Sequence, residues 1–130
     1  MSDPAANLER ASRYVSLGTY RRSGVPVDTP IWFAALDGHL VMFTNGRSGK
    51  VKRLRNGSRA RVAVCDLRGK LQGPWHEARA WLVDDAARHS QALRALAQRY
   101  GWQFRLLKLG ASLSGRKREW AVIEVELDPS

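Results

Sequence analysis

The chain is 130 residues long, a length at which roughly two-thirds of the unfolded surface is buried on folding, so neither a disulfide nor a metal staple is required. A lone cysteine, Cys65, excludes an intrachain disulfide, no apolar run approaches the ~20 residues of a membrane span, and the start Met1-Ser2-Asp3-Pro4 has no charged-then-apolar signal region. One cytoplasmic domain over 1–130 is therefore expected, and its formal charge of +10 points to a polyanionic partner: nucleic acid, an acidic surface, or a cofactor carrying phosphate and carboxylates.

Residues 1–12 read as a flexible or helical arm. From Tyr14 to Tyr20, Val15, Leu17 and Thr19 alternate with more polar neighbours, and the breaker cluster Arg21-Arg22-Ser23-Gly24 separates this strand from a second β-rich run, Val27 to Leu36. Asp37-Gly38 is a tight-turn dipeptide leading into Leu40-Val41-Met42-Phe43-Thr44, because both central positions of such a turn need positive φ. A three-stranded meander is expected. At Ser48 the period changes, with Val51 and Leu54 three apart and able to face a core, until Asn56-Gly57 stops a short helix. Arg61 to Cys65 resumes strand character, and Trp75 to Val83 follows a turn-rich connection. Asp84-Asp85 caps a helix over Ala86 to Tyr100, ended by Gly101, whereas Trp102 to Gly110 fits either a short helix or a packed loop. The closing run Glu119 to Leu127 alternates as a half-buried strand does. Six or so antiparallel strands with one short and one longer helix predict a mainly β fold, a small barrel with α additions whose closure hides the sheet edges.

The basic excess is uneven: residues 1–65 hold eleven Lys and Arg against four Asp and Glu, residues 66–130 eleven against eight. Seven basic residues and no acidic one lie between Arg47 and Arg61, directly after a strand end and a hydroxyl- and glycine-rich turn. Thr44, Ser48, Gly49, Lys50 and Arg53 together offer hydroxyls, free backbone N–H groups and cations, which are the groups that hold a phosphate ester.

Four segments, Tyr14-Val15-Ser16-Leu17-Gly18-Thr19-Tyr20, Pro30-Ile31-Trp32-Phe33, Thr44 with Ser48-Gly49-Lys50-Val51-Lys52-Arg53-Leu54, and Cys65-Asp66-Leu67-Arg68-Gly69, make the chain resemble the pyridoxamine-phosphate-oxidase-like split β-barrel superfamily. Within it the sequence is similar to the small branch that uses the deazaflavin coenzyme F420. The resemblance implies a split barrel of the flavin-mononucleotide-binding kind and a homodimer with cofactors at the subunit interface. It also implies hydride transfer between the reduced deazaflavin and a small conjugated acceptor. Thr44, Ser48 and Lys50 match the family's phosphate positions, with Gly49 and Arg53 in the same segment. Pro30, Ile31 and Trp32 match the strand along which the tricyclic ring lies. Gly49 stands where the flavin-using oxidases usually carry a second cation, a departure that shifts weight toward the deazaflavin branch. Arg55, Arg59 and Arg61 extend the basic run to where the coenzyme's glutamate tail could lie.

A flavin-mononucleotide oxidase or reductase, or a haem- or tetrapyrrole-binding member of the same superfamily, remains the alternative among relatives. From another class, basic residues interleaved with five tryptophans also describe a single-strand nucleic-acid binder. Trp32 and Trp75 flank the proposed pocket in sequence order, while Trp81, Trp102 and Trp120 read as core or interface filling. His39, His76 and His89 share no ligand spacing, so no metal site is assigned, and Cys65 reads as a small core residue. No catalytic side chain is named, and the cluster Arg116-Lys117-Arg118 reads as a solvated turn.

Overall fold

In the computed structural model, which describes residues 3–114 and 120–129, seven strands and four helices follow one another. Helix α1 (Pro4–Ala11) is capped by the Asp3 carboxylate, which accepts from the amides of Ala5 and Ala6, so the expected arm is helical from Pro4 on. Strands β1 (Tyr14–Tyr20), β2 (Pro26–Trp32), β3 (Ala34–Leu36) and β4 (His39–Asn45) precede the short helix α2 (Gly49–Arg55). Then come β5 (Arg59–Cys65), β6 (His76–Leu82), α3 (Ala86–Tyr100), α4 (Trp102–Ser114) and β7 (Trp120–Leu127). The ambiguous stretch after Gly101 is thus a helix: Phe104 is its buried anchor, and Gly101 at φ 60° breaks the chain between α3 and α4.

All strands pair antiparallel in the order β2-β1-β5-β6-β7-β4-β3. The expected meander is therefore corrected. The run Val27 to Leu36 is two strands broken at Phe33, and they form the two opposite ends of the sheet rather than one middle strand. The β3–β4 hairpin does turn at Asp37-Gly38, with φ of 53° and 82°. Beyond it, β4 pairs with the last strand, β7, which sequence spacing alone does not reveal. Because the two ends of the sheet are continuous in the chain, the sheet curls into a barrel, but no ladder joins β2 to β4. The barrel is split there, and the edge of β2 is not hidden by closure as expected.

The break at Phe33 is held by Tyr100 at the end of α3. Its hydroxyl accepts from the Phe33 amide at 3.0 Å and lies 2.6 Å from the Arg13 carbonyl and 2.9 Å from that of Phe33, so backbone groups freed by the break are satisfied. Burial pushes the Tyr100 phenol's pKa up. One core fills the barrel, with Val15, Leu17, Leu40, Met42, Val62, Ile123 and Val125 facing inward. A second lies between the opposite face of β4 and β7 and helices α3 and α4, around Val41, Leu96, Tyr100, Phe104 and Val122. Alternation along β4 and β7 assigns successive residues to the two cores.

Glu124, on the outer face of β7, is a buried carboxylate that accepts two bonds from Arg88 of α3, at 2.9 and 3.0 Å, and lies 2.5 Å from His39 Nδ1. The Arg88 guanidinium, helped by His39 and opposed by burial, holds the Glu124 carboxyl below its ordinary range. This group anchors the start of α3 to the sheet.

On the outer face of β1, Gly18 makes room for an ion pair that crosses the strand, Arg61 to Asp28 at 2.7 Å. A Cβ on Gly18 would sit 2.2 Å from Asp28 Oδ1 and 2.8 Å from Arg61 Cγ. Gly18→Ala should therefore open the pair and destabilise the protein by about 1–3 kcal/mol, as overpacking does. Urea unfolding checks this, and adding Asp28→Ala to the same chain should recover part of the loss.

Candidate functional site

The turn after β4 is built from short local bonds. The Asn45 side chain accepts from the Arg47 amide at 2.8 Å, the Asn45 carbonyl accepts from the Ser48 amide at 3.0 Å, and Ser48 caps α2, its hydroxyl 3.5 Å from the Val51 amide. Val51 and Leu54 bury the inner side of α2, Leu54 joining the barrel core. The polar side of α2 thereby presents Ser48, Lys50 and Arg53 at one end of the barrel.

Arg53 reaches back along its own helix. Its Nε donates to Thr19 Oγ1 at 2.6 Å, and its guanidinium lies in front of Gly49, where a Cβ would meet Nη1 at 2.7 Å. The glycine therefore admits a side chain of the same helix. Lys50 is half-buried, and its pKa is lowered by desolvation and by the charge of Arg53; that of Arg53 is lowered by desolvation and by Arg21. Among the described residues no carboxylate forms an ion pair with either. Desolvated like charges in a row cost free energy in the isolated protein, and an anion placed among them would relieve that cost.

Thr44 falls on the inward-facing side of β4 with Leu40 and Met42. Continuing the β3–β4 register (Ala34 opposite Val41) backward across Phe33 sets Trp32 opposite Phe43, Ile31 opposite Thr44 and Pro30 opposite Asn45. The Trp32 and Phe43 rings do meet, edge to face, at 6.5 Å. Pro30, Ile31 and Trp32 thus run beside the strand that leads into the cradle, along the split. Ile31 points into the barrel core, and Pro30 is exposed near the Gly69 turn. Trp32 stacks on Tyr100, centroids 4.3 Å apart and planes 7° from parallel. One face of its indole is thereby taken, and what β2 offers a ligand is its backbone edge. Trp75 is likewise occupied, lying beneath Arg61 at 3.9 Å.

The profile of the pyridoxamine 5'-phosphate oxidase family matches residues 1–127. The chain belongs to this family. No curated protein matches it by sequence. Among solved structures, the conserved hypothetical protein Rv2991 from Mycobacterium tuberculosis is similar at 20% identity, with 98% of this chain and 84% of that one covered and a TM-score of 0.69. HutZ, the haem storage protein of Vibrio cholerae, is similar at 11% identity, covering 96% and 88%, with a TM-score of 0.71. A provisionally named pyridoxamine 5'-phosphate oxidase from Listeria innocua gives 11%, 98% and 93%, and 0.68. These likenesses establish the split-barrel fold of the pyridoxamine 5'-phosphate oxidase family.

In this family member the residues singled out by sequence, Thr44, Ser48, Gly49, Lys50 and Arg53, come from the end of β4 and from α2 with its cap, while Pro30 to Trp32 lie across the split. Sequence reasoning missed Thr19, which receives Arg53, and Arg21, which faces it; both belong to the end of β1 that α2 covers. The alternation that placed Thr19 inward on β1 was the available signal for the first. Arg55 is exposed and Arg61 is committed to Asp28, so neither belongs to the cradle. Cys65 is fully buried, and burial pushes its thiol pKa up. Among the described residues no three His, Cys, Asp or Glu side chains form a group able to hold a metal ion, and no helix is long and apolar enough to cross a membrane. Arg116, Lys117 and Arg118 lie outside the described residues.

Proposed function

We propose that the chain binds reduced coenzyme F420 and passes a hydride from it to a small conjugated organic acceptor, as a homodimer with its two cofactor sites at the subunit interface. One observation carries this reading: desolvated Lys50 and Arg53, without a carboxylate partner among the described residues, stand with Ser48 at the turn after β4, the strand that faces the edge strand β2 across the split. The donor set fits a phosphodiester. Lys50 and Arg53 supply charge, the Ser48 hydroxyl and the first-turn amides of α2 supply directed donors, and Thr44 closes the site from the strand side. The unpaired backbone edge of β2 at Pro30, Ile31 and Trp32 is suited to the polar rim of a flat ring, with the Trp32–Tyr100 stack fixing the strand's position. When bound, the deazaflavin supplies the hydride; the protein orients it and excludes water.

Flavin mononucleotide is the competing cofactor. Arg53, reaching across Gly49, provides the second cation that the oxidases carry at the glycine's own position, so the phosphate site by itself suits either molecule. The deazaflavin is favoured by the cationic line past that site, through Arg53 to Arg21, for which a single phosphate has no use. A haem reading draws on the likeness to HutZ, but His39, a natural axial ligand by type, has its two ring nitrogens 2.5 and 3.3 Å from Glu124 and Glu126. Titration of the purified protein with F420 and with flavin mononucleotide tests the proposal. A reductase screen on quinones, enones and tetrapyrroles then follows with reduced F420.

A further inference from the structure

Helix α4 turns an apolar side to solvent. Trp102, Leu106, Leu109 and Leu113 follow the spacing i, i+4, i+7, i+11, so on a helix of 3.6 residues per turn they share an arc about 60° wide. Phe104, the buried anchor of α4, lies on the far side of the helix, and the four are 68%, 59%, 58% and 81% exposed. Leu107, also exposed, widens the stripe on one side. A continuous apolar stripe on a surface helix marks a contact surface. The charges beside it select the occupant. Arg105 adjoins the stripe on one side, with Lys108 one turn further along, and on the other side Gln103 accepts a hydrogen bond from the Arg13 guanidinium. All three cations are exposed, and among the described residues none forms an ion pair. From Ala86 to Ser114, through the whole of α3 and α4, the sequence has no Asp or Glu.

The geometry points to an anionic phospholipid surface as the occupant, with α4 lying in the plane of the interface. Such a surface places an apolar layer beneath a sheet of phosphates, and α4 presents the matching succession, an apolar centre between cationic borders. Trp102 and the leucines would enter the acyl boundary. The stems of Arg13 and Arg105 would run along the apolar layer and leave their guanidiniums at the phosphates, where the planar fork pairs well. At thirteen residues α4 is roughly 20 Å long, too short to cross a bilayer, so it rests on the surface. A second copy of this chain fits less well. Pairing α4 with α4 would bring Arg105 and Lys108 of both copies together with no carboxylate on either helix, and a stripe one side chain wide falls short of the roughly 20–30 residues a side of a standard interface. A nucleic acid would engage the cations and leave the leucines unused.

The experiment is flotation of the full chain with vesicles of phosphatidylcholine alone and with vesicles containing about one-third phosphatidylglycerol. Three variants accompany the wild type: Leu106→Gln with Leu109→Gln, Arg13→Gln with Arg105→Gln, and Trp102→Phe. All these side chains are exposed, so their replacement leaves both cores intact. The wild type should partition onto the anionic vesicles roughly tenfold or more above the neutral ones, and added salt should reduce that preference. The leucine variant should lose most of the binding to anionic vesicles, and the arginine variant should fall to the level seen on neutral ones. Trp102→Phe should bind as the wild type does, but the blue shift in tryptophan emission that vesicles induce in the wild type should be missing. Equal binding to both vesicle types, no binding of the wild type, or undiminished binding of the leucine variant overturns the proposal. A blue shift that persists in Trp102→Phe overturns it as well. Light scattering on the free proteins covers the remaining occupant: the leucine variant should keep the wild-type mass, and conversion of a dimer to a monomer would assign the stripe to a second copy and overturn the lipid assignment.

Discussion

Lys50→Ala is expected to weaken F420 binding by one to two orders of magnitude, the loss that follows when a charge-assisted contact to phosphate is removed (roughly 1.5–3 kcal/mol). The same substitution should leave the free protein no less stable, because Lys50 is held charged in a place that disfavours its charge. The sign follows from its pKa, which in the folded chain lies below the ordinary lysine value of 10.5, so the unfolded chain binds more protons through that interval. The charged lysine thus opposes folding at neutral pH, and this penalty fades as pH rises through the folded pKa toward 10.5. Ligand binding runs the other way: it needs the proton, so affinity should be full below the folded pKa of Lys50 and decline as pH rises through it. In Lys50→Ala that decline should be absent. Ser48→Glu, which puts a negative charge at the helix cap, should abolish binding while circular dichroism stays unchanged. Fluorescence titration across pH, together with thermal melts of the free proteins, checks each part.

The second large effect concerns Tyr100, whose hydroxyl bridges the strand break and whose ring supports Trp32. Tyr100→Ala should destabilise the chain by about 3–5 kcal/mol, the range for removing a buried aromatic ring. Tyr100→Phe keeps the stack with Trp32 but leaves the Phe33 amide and the Arg13 carbonyl without their partner, at a cost of about 1–3 kcal/mol. Its consequence for binding is separable from stability. If Tyr100 fixes β2 for the cofactor ring, Tyr100→Phe should weaken F420 binding below its unfolding temperature, because the edge of β2 then moves. Urea unfolding and binding titration on the same samples separate the two.

What could be read from the chain before its structure was known divides along a physical line. Elements set by local pattern were legible: β1 by alternation, the Asp37-Gly38 hairpin by its need for positive φ, α2 by the change of period at Ser48, and α3 by its cap and by Gly101. Elements set by partners distant in sequence were not. The break at Phe33 carries no glycine or proline, and it exists because Tyr100, sixty-seven residues away, satisfies its backbone. The pairing of β4 with β7 depends likewise on alternation shared by two runs nearly eighty residues apart. α4 was ambiguous because five of its large apolar side chains, Trp102, Leu106, Leu107, Leu109 and Leu113, remain exposed, so no single buried stripe announces it.

At the site the same division holds. The residue types of a phosphate cradle lie within ten positions, Thr44 to Arg53, and could be collected by reading along the chain. That Arg53 folds over Gly49 onto Thr19, and so joins the cradle to Arg21, depends on α2 covering the end of β1, which is a tertiary fact. Arg61 illustrates the opposite error: close in sequence to the basic run, it is turned to the outer face of β5 by strand alternation, where Asp28 neutralises it.

Whether the turn after β4 grips the phosphodiester of a deazaflavin is decided by titrating the wild-type protein with F420 and, in parallel, with flavin mononucleotide, following the absorbance and fluorescence of each. Saturable F420 binding is expected at one molecule per subunit, tighter than that of flavin mononucleotide and lost in Lys50→Ala. Preference for flavin mononucleotide, or F420 binding that survives Lys50→Ala undiminished, would overturn the assignment.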